Sequence, residues 1–221
     1  MYDCLVALTA SASSDTASNV HTVPRDNSKE TSGKHSESDD RPDNPVGSTL
    51  GPACARRVGW IFDRPQFYVP KNAHVRDIRQ GAKGDCWFIS SLGSLCVDTE
   101  VPRLVENVAP PSCRDEQVGV YGFVFNRDGE WISEVVDDKL YISVPDYDDC
   151  VDKRRMAWDA SHSQLDPEVS RAMWKETFQS NSDALYFASC SHPQETWVPL
   201  IEKAFAKAHG DYEAINGGWP G

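Results

Sequence analysis

Between Tyr2 and Trp60 the sequence has no aromatic residue at all. From Ser11 to Leu50 it is almost entirely Ser, Thr, Asp, Asn, Lys and Pro. Such a stretch cannot bury enough apolar surface to offset the entropy of ordering it, which excludes a folded unit there and predicts a disordered tail over residues 1–52. Basic charge is also short: 22 Lys and Arg face 34 Asp and Glu, a net charge of -12. That argues against an extended nucleic-acid footprint or a polybasic membrane patch and suits a cation better. No stretch reaches the roughly 20 apolar residues of a membrane span. The short apolar run from Cys4 to Leu8 follows Asp3 instead of a Lys or Arg, so it is a poor secretory signal. The 7 Cys form no C-x-x-C pair, which points away from a structural zinc site and from a disulfide scaffold. A reduced, cytoplasmic setting is the expectation.

What the sequence does have begins at Arg56 to Phe67, where RRVGWIFDRPQF brings in Trp60, Ile61, Phe62 and Phe67. A domain boundary falls near Gly51 to Arg57, leaving residues 53–221 for the folded part. In DCWFISSLGSL, Phe88, Leu92 and Leu95 recur at helical spacing, widened by Trp87 and Ile89, with Asp85 in N-cap position and Cys86 in the first turn. Two β-rich runs, Val118 to Phe125 and Trp131 to Val136, flank Asp128-Gly129 and predict a hairpin. DDKLYISV would extend that sheet. Farther on, Val169, Met173, Trp174 and Phe178 predict one amphipathic helix with Pro167 near its start, and DALYFASC is a short strand candidate. Trp197, Leu200, Ile201, Ala204, Phe205 and Ala208 form the clearest helical pattern, ending near Gly210. Asp137, Asp138, Asp146, Asp148 and Asp149 read as solvated loop charges, since they lack the alternating spacing of a calcium-binding EF-hand loop.

The chemistry centres on QGAKGDCW, Gln80 to Trp87. A helical Cys taken alone is usually a small buried hydrophobe. Here it opens a helix after a Gly-containing loop. The thiolate is the nucleophilic form, and the partial positive charge at a helix N-terminus favours it. The glycines allow close approach to a substrate backbone. Gln80, six residues earlier, can aim its amide where an oxyanion develops, beside the backbone N–H of Cys86.

The spacing Q-G-x-x-G-x-C-W is shared with papain-like enzymes. QGAKGDCWFISSLGSL resembles the active-site stretch of calpains, VVDDKLYISV resembles their VVDD-[RK]-L-P strand, and ETWVPLIEKAFAKAHGDYEAINGG resembles their E-K-A-[YF]-A-K helix with the following G-G. RDGEWISEVVDDKLY and the polar insertion after it look most like calpain-like proteases of filamentous fungi. The three motifs occur in family order between Arg56 and Gly221. Ser90-Ser91 replace the usual Ala-Ala, a change that helical hydroxyls accommodate by bonding the preceding turn.

The resemblance implies an α+β fold: the first, Cys-bearing subdomain of a papain-like calpain protease core. It implies a cysteine endopeptidase acting on protein or peptide substrates, with Cys86 as nucleophile and Gln80 in the oxyanion site. It also implies calcium (Ca2+) held by Asp77, before the Q-G loop, and Glu195, before the last helix. The family's catalytic His and Asn belong to the second half of the domain. Papain-like His and Asn lie roughly 130 to 150 residues after the Cys, and only 221 - 86 = 135 residues follow Cys86. The chain is therefore expected to stop short of both and to be inactive alone, a missing half or a second chain supplying them. His209 is expected to be a helix C-terminal charge, and His74 and His192 loop residues. The rival expectation is a non-catalytic calcium- or peptide-binding fragment.

Overall fold

The computed structural model describes residues 51–69, 78–95 and 101–218. Residues 1–50 of the predicted tail lie outside them, as does Asp77. The elements are β1 (Cys54–Arg57), α1 (Val58–Ile61), β2 (Ile78–Arg79), α2 (Cys86–Leu95), α3 (Val101–Val108), β3 (Arg114–Asp115), β4 (Val120–Arg127), β5 (Glu130–Asp137), β6 (Lys139–Ile142), α4 (Lys153–Ser161), α5 (Pro167–Phe178), β7 (Ser189–Cys190) and α6 (Trp197–His209). Helices and small antiparallel sheets are interleaved, the α+β arrangement expected.

The hairpin forms where the alternation predicts it. Asp128 and Gly129 take φ of 56° and 82°, the left-handed pair that a two-residue turn matching the strand twist requires. β4 and β5 pair from Val120↔Asp137 to Arg127↔Glu130, and β3 adds a short third strand. The alternation turns Tyr121, Phe123 and Phe125 inward, where all three are buried.

α6 lies on this inner face. Phe205 stacks on Phe88 of α2 at 4.4 Å between ring centroids and meets Phe125 edge-on at 5.6 Å. Such offset and edge contacts satisfy the ring quadrupoles while burying large apolar areas. Helix α6 is thus the joint between the hairpin and the Cys-bearing helix. Its polar stripe faces back to the sheet: Lys203 pairs with Asp137, and Lys207 reaches Glu134 at 3.2 Å.

Three expectations need correction. Lys139–Ile142 does not extend the hairpin sheet but pairs with β1, from Cys54↔Ile142 to Arg57↔Lys139. The chain leaves β5 at Asp138, which is buried and bound to Arg57 at 2.9 Å, so β6 is drawn to a strand far away in sequence. Asp138 is therefore no solvated loop charge. Asp137 likewise pairs with Lys203, Asp146 with Arg56, and Asp148 with Arg171.

The segment 145–179 holds two helices where one was expected. Asp152 caps α4 by accepting the Arg154 N–H at 2.8 Å, and Asp166 caps α5 through the Glu168 N–H at 2.9 Å. Trp158 of α4 meets Trp174 edge-on at 5.4 Å and donates to Ser170 at 2.9 Å. This small second cluster buries the stripe of Ser170 and Trp174, whereas Val169 and Met173, one residue back and about 100° round the helix, are 47% and 37% exposed.

Candidate active site

Cys86 is exposed at the first position of the ten-residue helix α2, the setting the sequence predicts. Asp85 starts the helix through its carbonyl, which accepts from the N–H of Phe88 at 2.9 Å and of Ile89 at 3.1 Å. Its side chain does not act as the expected cap. The carboxylate turns inward, is 1% exposed, and lies against the carboxyl of Glu202 on α6. Deeper in the helix, the Ser91 hydroxyl donates to the Trp87 carbonyl at 2.7 Å, the back-bond that makes serine tolerable there.

The entry loop is held from two sides. On one, Ala82 donates its N–H to the Tyr186 carbonyl at 2.9 Å. Gly81 passes so close to Phe187 that a Cβ would overlap the Phe187 backbone, a contact only glycine permits. On the other, the turn after α6 closes over the loop. Gly84 donates to the Asn216 side-chain oxygen at 3.1 Å, and Gly217 donates to the Gly84 carbonyl at 2.9 Å. Lys83 pairs with Glu213, and the Trp87 indole donates to the Ile215 carbonyl at 2.9 Å. The backbone leading into Cys86 thus has partners on both flanks.

Gln80 is exposed, and its amide donates to the Lys83 carbonyl at 2.7 Å, bracing the loop. An amide nitrogen carries two N–H groups, so the bracing bond leaves a second for a ligand. Glu195 is 2% exposed and accepts the Val69 N–H at 2.7 Å. Its expected partner Asp77 lies outside the described residues, as does His74.

The described histidines are engaged elsewhere. His209, in the last turn of α6, bonds the Phe205 carbonyl at 2.9 Å, which fits the expected helix-end role. His162 stacks on Trp158 at 3.9 Å, and His192, in a loop, accepts from the Gln194 N–H at 3.3 Å. No group of three or more His, Cys, Asp or Glu suited to a metal ion occurs among the described residues.

Glu202 escaped the sequence reading. It sits at 0% exposure among apolar neighbours, one oxygen accepting the Ala188 N–H at 2.9 Å. The available signal was its place four residues after Val198 and three before Phe205, a carboxyl on an apolar helix face. Burial, and then the neighbouring Asp85, push its carboxyl well above the ordinary value.

Comparison with known proteins bears on this geometry. The calpain family cysteine protease model matches residues 53–162 and 171–220, a match interrupted only between α4 and the first turn of α5. The chain is 29% identical over 177 residues to the calpain-2 catalytic subunit of Gallus gallus, covering 76% of this chain and 19% of that protein. It is 30% identical over 164 residues to calpain-B of Drosophila melanogaster, covering 73% and 13%. The calpain-2 catalytic subunit of Bos taurus gives 30% over 178 residues, covering 76% and 19%. The chain spans a fifth or less of the length of these curated relatives. With more than half of its residues matched by the family model, and with Cys86 heading a helix that the matched segments build, the chain belongs to the calpain family of cysteine proteases.

Proposed function

We propose that this chain carries the nucleophile of a cysteine endopeptidase, with Cys86 as the attacking group and proteins or peptides as substrates. The observation that carries the reading is an exposed Cys at the start of α2, on a backbone bonded on both flanks. In the reaction the Cys86 thiolate forms a bond to the scissile carbonyl carbon, and the carbonyl electron pair moves to oxygen. The Cys86 N–H and the second Gln80 N–H stabilise that oxyanion. Collapse expels the amine, which takes a proton from an imidazolium, and water then hydrolyses the thioester. The imidazole and the Asn that orients it come from beyond the described residues, in a further segment or a second chain, since His162, His192 and His209 are committed elsewhere. This chain alone is proposed to be inactive.

Calcium is proposed as the cation of Asp77 and Glu195. Glu195 supports it as a buried, backbone-anchored carboxylate, the oxygen donor a hard cation takes. When bound, the ion would supply positive charge beside the chain leading to Gln80. The unbridged thiols of Cys54, Cys86, Cys113 and Cys150 fit a reducing, cytoplasmic site of action, and no described helix is long and apolar enough to cross a membrane.

The test is alkylation with iodoacetamide at neutral pH, mapped by mass spectrometry. Cys86 is expected to react well ahead of Cys113, which is also exposed. Equal rates at the two would remove the nucleophile assignment.

A further inference from the structure

Behind Cys86 two carboxyl groups meet, and among the described residues neither forms an ion pair with a cation. Asp85 is 1% exposed and Glu202 0%. Among the described residues, both Asp85 carboxylate oxygens and Glu202 Oε1 lack a hydrogen-bond donor, while Glu202 Oε2 takes the Ala188 N–H at 2.9 Å. Two ionised carboxylates side by side in an apolar interior repel each other and cannot recover their lost hydration. A single proton between them removes one charge and supplies the missing donor.

We propose that Glu202 keeps its carboxyl proton and shares it with Asp85, acting as a positioning residue that fixes the first turn of α2 and hence the Cys86 thiol. The assignment rests on the reading of Cys86 as nucleophile and extends it to α6. The proton belongs on Glu202 Oε1 because the Ala188 amide already serves the other oxygen. The groups acting on Glu202 are Asp85 and the Ala188 amide, and burial raises its carboxyl in the direction this requires. Tyr212, from the turn after α6, and Tyr141, from β6, bring only phenols to the same pocket, and burial followed by Glu202 raises Tyr212. No cation appears among these influences, so the proton is the pair's means of balance.

The sign of the pH dependence follows. A carboxyl whose folded value is raised binds its proton in the folded state, and this stabilisation is complete below the unfolded value. It is lost as pH rises through the folded value. Glu202→Gln keeps the shape, donates permanently to Asp85 and has nothing to titrate. The difference in Tm between Glu202→Gln and the parent is therefore expected to grow by at least about 3 °C from about pH 5 to about pH 9. A difference that stays constant with pH would overturn the shared proton. The positioning role is read from iodoacetamide kinetics well below Tm. The ratio of Cys86 to Cys113 rates is expected to hold in Glu202→Gln and to fall at least about threefold in Glu202→Asp, whose shorter side chain cannot reach. An unchanged ratio in a folded Glu202→Asp would sink that role. Should Glu202→Asp not fold, the ratio in Glu202→Gln decides, since a fall there contradicts an isosteric donor. A parent protein with no preference for Cys86 would defeat the nucleophile reading instead, and the pH dependence of the Tm difference would still judge the proton.

Discussion

The indole N–H of Trp87 donates to the carbonyl of Ile215 at 2.9 Å, joining the first turn of the Cys-bearing helix to the turn that follows α6. Both residues are buried, at 5% and 2% exposure, so the bond has no water to replace it. It links the two sequence motifs that lie farthest apart in the family pattern. Trp87→Phe removes the donor and leaves that carbonyl unpaired, at an expected cost of about 1–3 kcal/mol. Urea unfolding measures this, and limited chymotryptic cleavage after Tyr212, in that turn, should accelerate as the turn loosens.

Gly81→Ala should act locally. The added Cβ overlaps Phe187 backbone, which cannot swing away as a side-chain end can. The loop ahead of Cys86 must then shift. The expected outcome is a Cys86 alkylation rate that drops toward that of Cys113, with a modest fall in Tm.

Phe205→Ala opens a cavity where three rings meet, Phe88, Trp87 and Phe125. The expected loss is about 3–5 kcal/mol. That is a large share of a domain's stability, so chemical denaturation should show a midpoint near zero denaturant or an unfolded chain.

Asp152 carries an acid-side prediction. Its carboxyl is held below the ordinary value, first by the hydrogen bond from Cys150 and also by the Arg154 N–H. A lowered folded value gives stability that is present above the unfolded value and lost as pH falls through the folded one. Helix α4 should therefore weaken below about pH 4. Asp152→Asn keeps a cap that does not titrate and should flatten this limb, whereas Asp152→Ala should cost about 1 kcal/mol at neutral pH. Thermal melts from acid to neutral pH distinguish the three proteins.

Calcium is checked by calorimetric titration of the chain. Heat is expected in the parent and should vanish in Glu195→Gln, which keeps the shape but removes the charge. No heat in the parent would end the calcium proposal.

Helices α2, α5 and α6 and the hairpin were legible because their signals are local. The 3.6-residue recurrence of Phe88 and Leu92, the Asp128-Gly129 turn and the long apolar stripe of α6 each name their own element. Helix α4 was not, because its four charged residues and one buried Trp158 leave almost no apolar period. The pairing of β6 with β1 was hidden as well, since CARR carries no alternation and its partner lies some 80 residues away.

The same division holds at the site. From the residues alone, Cys86 was placed at a helix start, Gln80 beside it, and the family named, because spacing along the chain defines all three. Tertiary structure decided the rest. It turned the Asp85 carboxylate inward, set Glu202 against it, and spent one Gln80 N–H on Lys83. Those outcomes depend on which buried groups meet across α2, α6 and the turn after it, and a carboxyl's charge is set by the neighbours that folding brings to it, which no spacing along one chain specifies.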